Sequence, residues 1–151
     1  MKTVSIAVIL ILVAACFAFS KTSTTELIIC ADGSGEIYTP TPVCRWYLST
    51  FRTAPTDVDA VRRASGIDFI LNGTSANRFN IAELYIEAGL NINESPSLTP
   101  LCNAIALKQT DNVKFLLAHK ATINHSKCDA IALAKSIDNR EMEELLEGGV
   151  K

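Results

Sequence analysis

The chain has 151 residues, 48% of them hydrophobic and 20% charged, enough for one folded domain with its own core and too little for two. Lys and Arg number 14 against 16 Asp and Glu, giving a formal charge of −2, a pI near 5.7 and no run of five like charges. That balance excludes the broad phosphate-binding face by which nucleic-acid proteins hold their ligands.

Residues 1–20 read as an export signal. Met1-Lys2 leads into an apolar run from Val4 to Phe19, broken by Ser5, and Ser20 opens the polar stretch Lys21-Thr22-Ser23-Thr24-Thr25. A short basic start, an apolar centre and small residues at the far end make a processed leader. The run falls short of the about 20 residues that span a bilayer as a helix, so removal is expected rather than anchoring. Two processing sites compete. Ala18-Phe19-Ser20 suits an ordinary signal peptidase, whereas Val13-Ala14-Ala15-Cys16 resembles a bacterial lipobox, in which Cys16 becomes the lipidated first residue. Either way the expected destination is periplasmic or secreted, with a lipid on Cys16 as the sole membrane attachment.

Residues 21–55 follow. Export makes the remaining cysteines candidates for disulfides, and Cys30, Cys44, Cys102 and Cys128 are even in number. Three pairings are open; proximity in sequence favours Cys30 with Cys44 and Cys102 with Cys128, each contributing about 3 kcal/mol in the chain-entropy picture. Glu26 to Ala54 also carries Tyr38, Trp46, Tyr47 and Phe51, while Pro40 and Pro42 predict loop before helix. Asp32-Gly33-Ser34-Gly35 reads as a turn, lacking the length and the Lys-Ser/Thr of a phosphate loop.

From residue 56 onward the pattern is helical and periodic. Thr56 to Gly66 predicts a helix with Thr56 or Asp57 as N-cap and Gly66 as its stop. Ile67 to Leu71 is a short apolar run before the turn signal Asn72-Gly73-Thr74. Ile81 to Asn93 then echoes Val113 to Asn124 at a constant offset, placing Leu84, Tyr85 and Ile86 on Phe115, Leu116 and Leu117. Met142, Leu145 and Leu146 supply a third copy after nearly the same interval. Thr99-Pro100-Leu101-Cys102-Asn103-Ala104 likewise recurs, after that interval, as Asp129-Ala130-Ile131-Ala132-Leu133-Ala134. Proline in a first helical turn loses no hydrogen bond, and the Thr before it can cap. Each unit therefore reads helix, turn, helix.

Thr-Pro-Leu-x-x-Ala at 99–104, followed by Val-Lys-Phe-Leu-Leu-x-x-x-Ala-x-x-Asn at 113–124, resembles an ankyrin repeat, and the likeness covers Asn80 to Leu146. The resemblance implies an all-α fold: a short ankyrin-like helix-turn-helix repeat stack over residues 56–151, with residues 21–55 as a disulfide-stapled N-terminal cap. It implies a first helix at Thr99 to Lys108, a second at Asn112 to Ala118 and a connecting loop around Asn124, with Ala104 and Ala134 allowing close approach and Leu116 and Leu117 in the core. In such a stack Cys102 also lies beside Cys128. Lys120 departs from the family, standing where a left-handed Gly is usual and Gly89 supplies one, at a cost of about 1 kcal/mol. The loops Glu94 to Leu98 and His125 to Cys128 are shorter than the family's hairpin fingers.

Catalytic residues are sparse. The two histidines, His119 and His125, both fall in repeat framework, so neither is expected to serve a Ser-His-Asp or Cys-His pair. Cys102, His119, His125 and Cys128 have the chemistry of zinc ligands at irregular spacing, and in an oxidising compartment the thiols are expected to pair with each other. No metal and no cofactor are expected. Glu141, Glu143, Glu144 and Glu147 read as a solvated helix face rather than glycosidase acids. Asn72, Asn93 and Asn124 begin glycosylation sequons, relevant in a eukaryotic host.

The family resemblance therefore implies a non-catalytic, exported protein-binding module, monomeric when unbound, whose partner is another protein. An immunity or inhibitor protein that sequesters a toxin or enzyme is one such use; the alternative is a structural or stress-protective envelope component without a single tight ligand. Contacts are expected from first-helix and loop positions that packing leaves free and that project on one side: Leu98, Lys108, Gln109, His125, Lys127, Ser136, Asp138 and Asn139. Leu101, Ala104, Ile131 and Ala134 are expected to face inward.

Overall fold

The computed structural model describes residues 19–35 and 39–148. The leader as far as Ala18, including Cys16, and the aromatic Tyr38 lie outside the described residues. The described residues are mostly helical, with one two-stranded hairpin among them. No described helix is long and apolar enough to cross a membrane.

Helix α1 (Thr24–Asp32) begins at a reciprocal cap. The Ser23 hydroxyl accepts from the Glu26 amide while the Glu26 carboxylate accepts from the Ser23 amide, satisfying two groups that a helix start leaves bare. The Ser23 amide and hydroxyl hold the Glu26 carboxyl below its ordinary range. The helix ends at Gly33 in the left-handed region, φ 83°. Helix α2 (Thr41–Phe51) starts after Pro40 with Pro42 in its first turn, as the prolines predict. The Cys30–Cys44 disulfide joins α1 to α2 across a Cα separation of 5.8 Å.

Helix α3 (Pro55–Arg63) starts earlier than the sequence predicts. Pro55 occupies its first turn and Ala54 takes the cap position without a side-chain bond. Asp57 is drawn elsewhere: its buried carboxylate accepts from the Thr24 hydroxyl at 2.6 Å and from Arg52 at 3.3 Å. The helix stop is displaced by one residue as well, because Ser65 at φ 96° turns the chain before Gly66 does at φ 65°. Gly66 is needed for a second reason: a Cβ there would stand 2.9 Å from the Glu94 carbonyl oxygen.

The remaining described residues form three helix pairs: α4 (Ile67–Leu71) with α5 (Asn77–Glu87), α6 (Pro100–Ala106) with α7 (Thr110–Ala118), and α8 (Ala130–Ser136) with α9 (Arg140–Gly148). The antiparallel hairpin β1 (Asn124–His125) and β2 (Cys128–Asp129) leads into α8. Helix α6 packs against both α4 and α8, and α7 packs against α9, so the pairs lie in chain order. Local geometry recurs along them. Thr99 caps α6 and Asp129 caps α8 through side-chain oxygens. Lys108 at φ 56° and Asp138 at φ 51° turn the chain out of α6 and α8. Gly89 at φ 98° and Lys120 at φ 61° do the same after α5 and α7, each followed by an amide that reaches back, Leu90 to Tyr85 and Ala121 to Leu116.

Burial follows the same period. Tyr85, Leu116 and Leu146 are fully buried at equivalent positions, as are Ala82 and Val113, while Leu117 is partly buried. Fully burying such a side chain contributes roughly 1.5–3 kcal/mol. The last pair differs on its outer side, where no further described pair covers it: Lys135 is exposed at the position where Ile105 is buried.

The α1–α2 hairpin packs through α1 onto α3 and α5. Two buried carboxylates fasten it. Asp57 receives Thr24 from α1, and Asp32 at the end of α1 receives the Thr74 amide at 3.0 Å and the Ser75 hydroxyl at 2.6 Å from the α4–α5 turn. Gly73 admits Asp32, since a Cβ at that residue would stand 2.8 Å from the carboxylate. The buried Tyr85 hydroxyl donates to the Arg52 carbonyl at 2.8 Å, and burial, with the Asp57 charge, pushes its pKa well above the tyrosine range.

Candidate partner-binding surface

The eight candidate contact residues fall into two groups. Lys108 and Gln109 form the α6–α7 turn, and Ser136, Asp138 and Asn139 end α8 and form the α8–α9 turn. Leu98 precedes the α6 cap, and His125 and Lys127 belong to the hairpin before α8. The Cys102–Cys128 disulfide, with Cα atoms 6.5 Å apart, holds the starts of α6 and α8 together. The groups therefore occupy opposite ends of the first helices, about 10 Å apart for seven residues of helix.

At the turn end lies a cleft of about 540 Å³, lined by Lys108, Gln109 and Asp111 together with Thr74 and Arg78 from the preceding pair. Asn112 supports it from beneath. This buried amide donates to the Leu71 carbonyl at 3.2 Å and to the Gln109 side chain at 2.9 Å, tying one pair to the next and holding Gln109 in place. The Arg78 guanidinium donates to the Ser75 carbonyl at 2.9 Å and lies 4.3 Å over the Phe79 ring. Two cations, Arg78 and Lys108, thus face the cleft against one carboxylate, Asp111. The sequence reading does not single out Arg78, which stands between the Asn72-Gly73-Thr74 turn signal and the repeat likeness that begins at Asn80. Leu107, 55% exposed beside Lys108, is likewise absent from it; its place after the inward-facing Leu101, Ala104 and Ile105 is the one available signal.

The loop end is more tightly bonded. Lys127 donates through Nζ to the Ser95 carbonyl at 2.9 Å and through its amide to His125 Nδ1 at 3.1 Å. The Asn93 side chain accepts from the Thr122 amide at 2.8 Å, so this sequon asparagine holds one loop to the next. Asp68 accepts from Ser95 at 3.3 Å; burial pushes its carboxyl up, opposed by hydrogen bonds from Asn103 and Ser95. Leu101, Ala104 and Ala134 are buried as the sequence predicts, and Ile131, on the uncovered last pair, is partly buried.

The other chemistry-bearing residues serve the framework. His119 stacks on Phe115 with ring centres 4.3 Å apart, its Nδ1 lies 2.9 Å from the Phe115 carbonyl, and its Nε2 is 3.8 Å from Glu83. Cys102 and Cys128 are joined to each other, and among the described residues no three His, Cys, Asp or Glu side chains gather as a metal site. On α9, Met142 and Leu146 are buried while Glu141, Glu144 and Glu147 are exposed, with Glu144 paired to Arg140 at 3.1 Å. Comparison with protein-family models, curated proteins and solved structures finds no match.

Proposed function

We propose that this chain is an exported, non-catalytic binding protein of ankyrin-like build, monomeric until it holds another protein, and that it acts as an immunity or inhibitor protein against a toxin or enzyme in the periplasm or outside the cell. The observation that carries the reading is the cleft at the α6–α7 turn, where polar and cationic side chains from two successive helix pairs converge. Support for export comes from the leader pattern and the two disulfides, which persist in oxidising compartments. Support for the ankyrin likeness comes from the evenly spaced helix pairs with their recurring caps and left-handed exits. A partner surface rich in carboxylates fits Arg78 and Lys108.

The test is recovery of a stoichiometric complex from the exported fraction of the native host, followed by charge reversal. Lys108→Glu is the cleaner variant, since Lys127 already holds the Ser95 carbonyl. Together with Lys127→Glu it should weaken the complex about tenfold or more and leave the free monomer folded. Unchanged affinity in the double variant, with binding lost instead on substitution at Trp46 or Tyr47, would move the binding element to the N-terminal hairpin.

A further inference from the structure

Helix α2 presents an outer face that nothing else in the described structure covers. Among the described residues five large apolar side chains are exposed, and three of them stand on this helix: Val43 at 41%, Trp46 at 57% and Phe51 at 53%. The other exposed residues of α2 are Pro42, Ser49 and Thr50, so this face carries no fully exposed charge, and the helix has no acidic residue at all. Both hydroxyls turn back on the helix: Ser49 and Thr50 donate to the Trp46 carbonyl at 3.1 and 2.7 Å. A protein interface commonly makes about one hydrogen bond per 100–200 Å², and a face whose donors are already used is poorly equipped for that.

The aromatic rings continue toward the N-terminus. Trp46 meets Phe51 edge-on at 5.7 Å, Phe51 meets Tyr47 at 5.2 Å, and Tyr47 stacks on Phe19 at 4.9 Å. Phe19 is the last residue of the apolar run that starts at Val4. With Cys16 as the processed first residue, this face of α2 therefore lies next to the lipid-bearing N-terminus, three residues before Phe19. We propose that this face is a membrane-surface contact, with Trp46, Phe51 and Val43 lying at the headgroup level of a phospholipid bilayer. Aromatic rings, Trp above all, concentrate at that level, where an apolar body and a polar edge are both accommodated. Either processing site leaves the contact in place. Cleavage before Cys16 keeps Phe19 on Tyr47 and adds a lipid tether, whereas cleavage after Ser20 removes Phe19 and uncovers Tyr47, which widens the apolar face. One apolar helix face gives weak, reversible binding, and a lipid on Cys16 adds the second attachment that stable anchoring requires.

Trp46 is the sole tryptophan, so its fluorescence reports on this face alone. The mature protein from the exported fraction is mixed with unilamellar vesicles of phosphatidylethanolamine and phosphatidylglycerol. Emission should shift to the blue, iodide quenching should fall, and lipids brominated high in their chains should quench. Phe51→Glu should reduce the vesicle-bound fraction about tenfold and abolish the shift. Intact disulfides and an unchanged circular dichroism spectrum show that the variant is folded, and Val43→Glu, at a position 41% exposed, gives the same readout should Phe51→Glu fail to fold. Iodide access to Trp46 that vesicles leave unchanged overturns the proposal, even where the protein floats with them, because a lipid tether alone then accounts for binding. Protection of Trp46 only by a stoichiometric protein partner overturns it equally.

Discussion

Along the helix pairs the same structural events return at a nearly constant interval: a side-chain cap on α6 and α8, a left-handed exit after α5, α6, α7 and α8, and a fully buried residue on α5, α7 and α9. The α1–α2 hairpin, closed on itself by the Cys30–Cys44 bridge, is attached by polar contacts that occur once, those of the Asp32 and Asp57 carboxylates. In the helix pairs the stabilisation is apolar and spread over many positions, each buried against a neighbouring pair. At the hairpin the apolar burial of Leu27, Ile28, Ala31 and Leu48 is joined by a few buried polar atoms that lose a great deal if one partner is removed. Damage in the two regions should therefore look different.

The largest effect is expected in the helix pairs. Leu116 is fully buried in α7 between its neighbours, and Leu116→Ala should lower the unfolding free energy by roughly 2 to 5 kcal/mol in denaturant titration. A loss below about 1 kcal/mol would mean that the α7 register is wrong. Next comes the hairpin. Asp32→Ala strips the acceptor from the Thr74 amide and the Ser75 hydroxyl, at a cost of roughly 1 to 3 kcal/mol. Its signature should be regional: hydrogen exchange should rise in α1, α2 and the α4–α5 turn and stay unchanged in α6 and α7. A uniform rise along the chain would erase the distinction between the two regions.

The helix pairs are legible in the sequence because their determinants are periodic. Thr99 before Pro100 marks a helix start, and the recurrence of Tyr85 at Leu116 marks a buried position, both without knowledge of anything distant. Cys30 with Cys44 and Cys102 with Cys128 follow from closeness in sequence, as the structure bears out. Helix α1 is a different case: Ser23 and Glu26 spell a capping box, but the motif adjoins the leader and precedes a stretch with Pro40 and Pro42, which reads as loop. Asp32 is illegible for a stronger reason. Its partners lie 42 and 43 residues away, and in sequence Asp32-Gly33-Ser34-Gly35 has every mark of an exposed turn. The cap of α3 fails similarly, since Asp57 is taken up by Thr24 and Arg52 before it can cap. At the candidate surface, Lys108 and Gln109 are legible as a turn between two predicted helices. Arg78 is not, because it reaches the cleft from the neighbouring pair.

The smallest effect is the sharpest test of equivalence between pairs. Gly89 and Lys120 stand at matching positions of successive pairs and both have positive φ, at 98° and 61°. Both close the same pattern: Gly89 donates to the Ile86 carbonyl and Lys120 to the Leu117 carbonyl, each at 3.0 Å. A side chain in this conformation brings Cβ against the neighbouring carbonyl, at about 1 kcal/mol, so the pair at Lys120 carries a strain that the pair at Gly89 avoids. Lys120→Gly relieves that strain but gives the unfolded chain more freedom, which offsets about 0.4 to 1 kcal/mol. The variant should thus be neutral or slightly more stable than the parent. Gly89→Ala runs the other way. A Cβ there meets nothing within 4 Å, so no packing term intervenes; backbone strain of about 1–2 kcal/mol, less about 0.4–1 kcal/mol gained from the stiffer unfolded chain, should leave a net loss of up to about 1.5 kcal/mol. Paired thermal denaturation should then show opposite or null-and-negative shifts for the two substitutions. Clear destabilisation by Lys120→Gly would show that its side chain contributes more than its backbone costs, and the two helix ends would no longer be interchangeable.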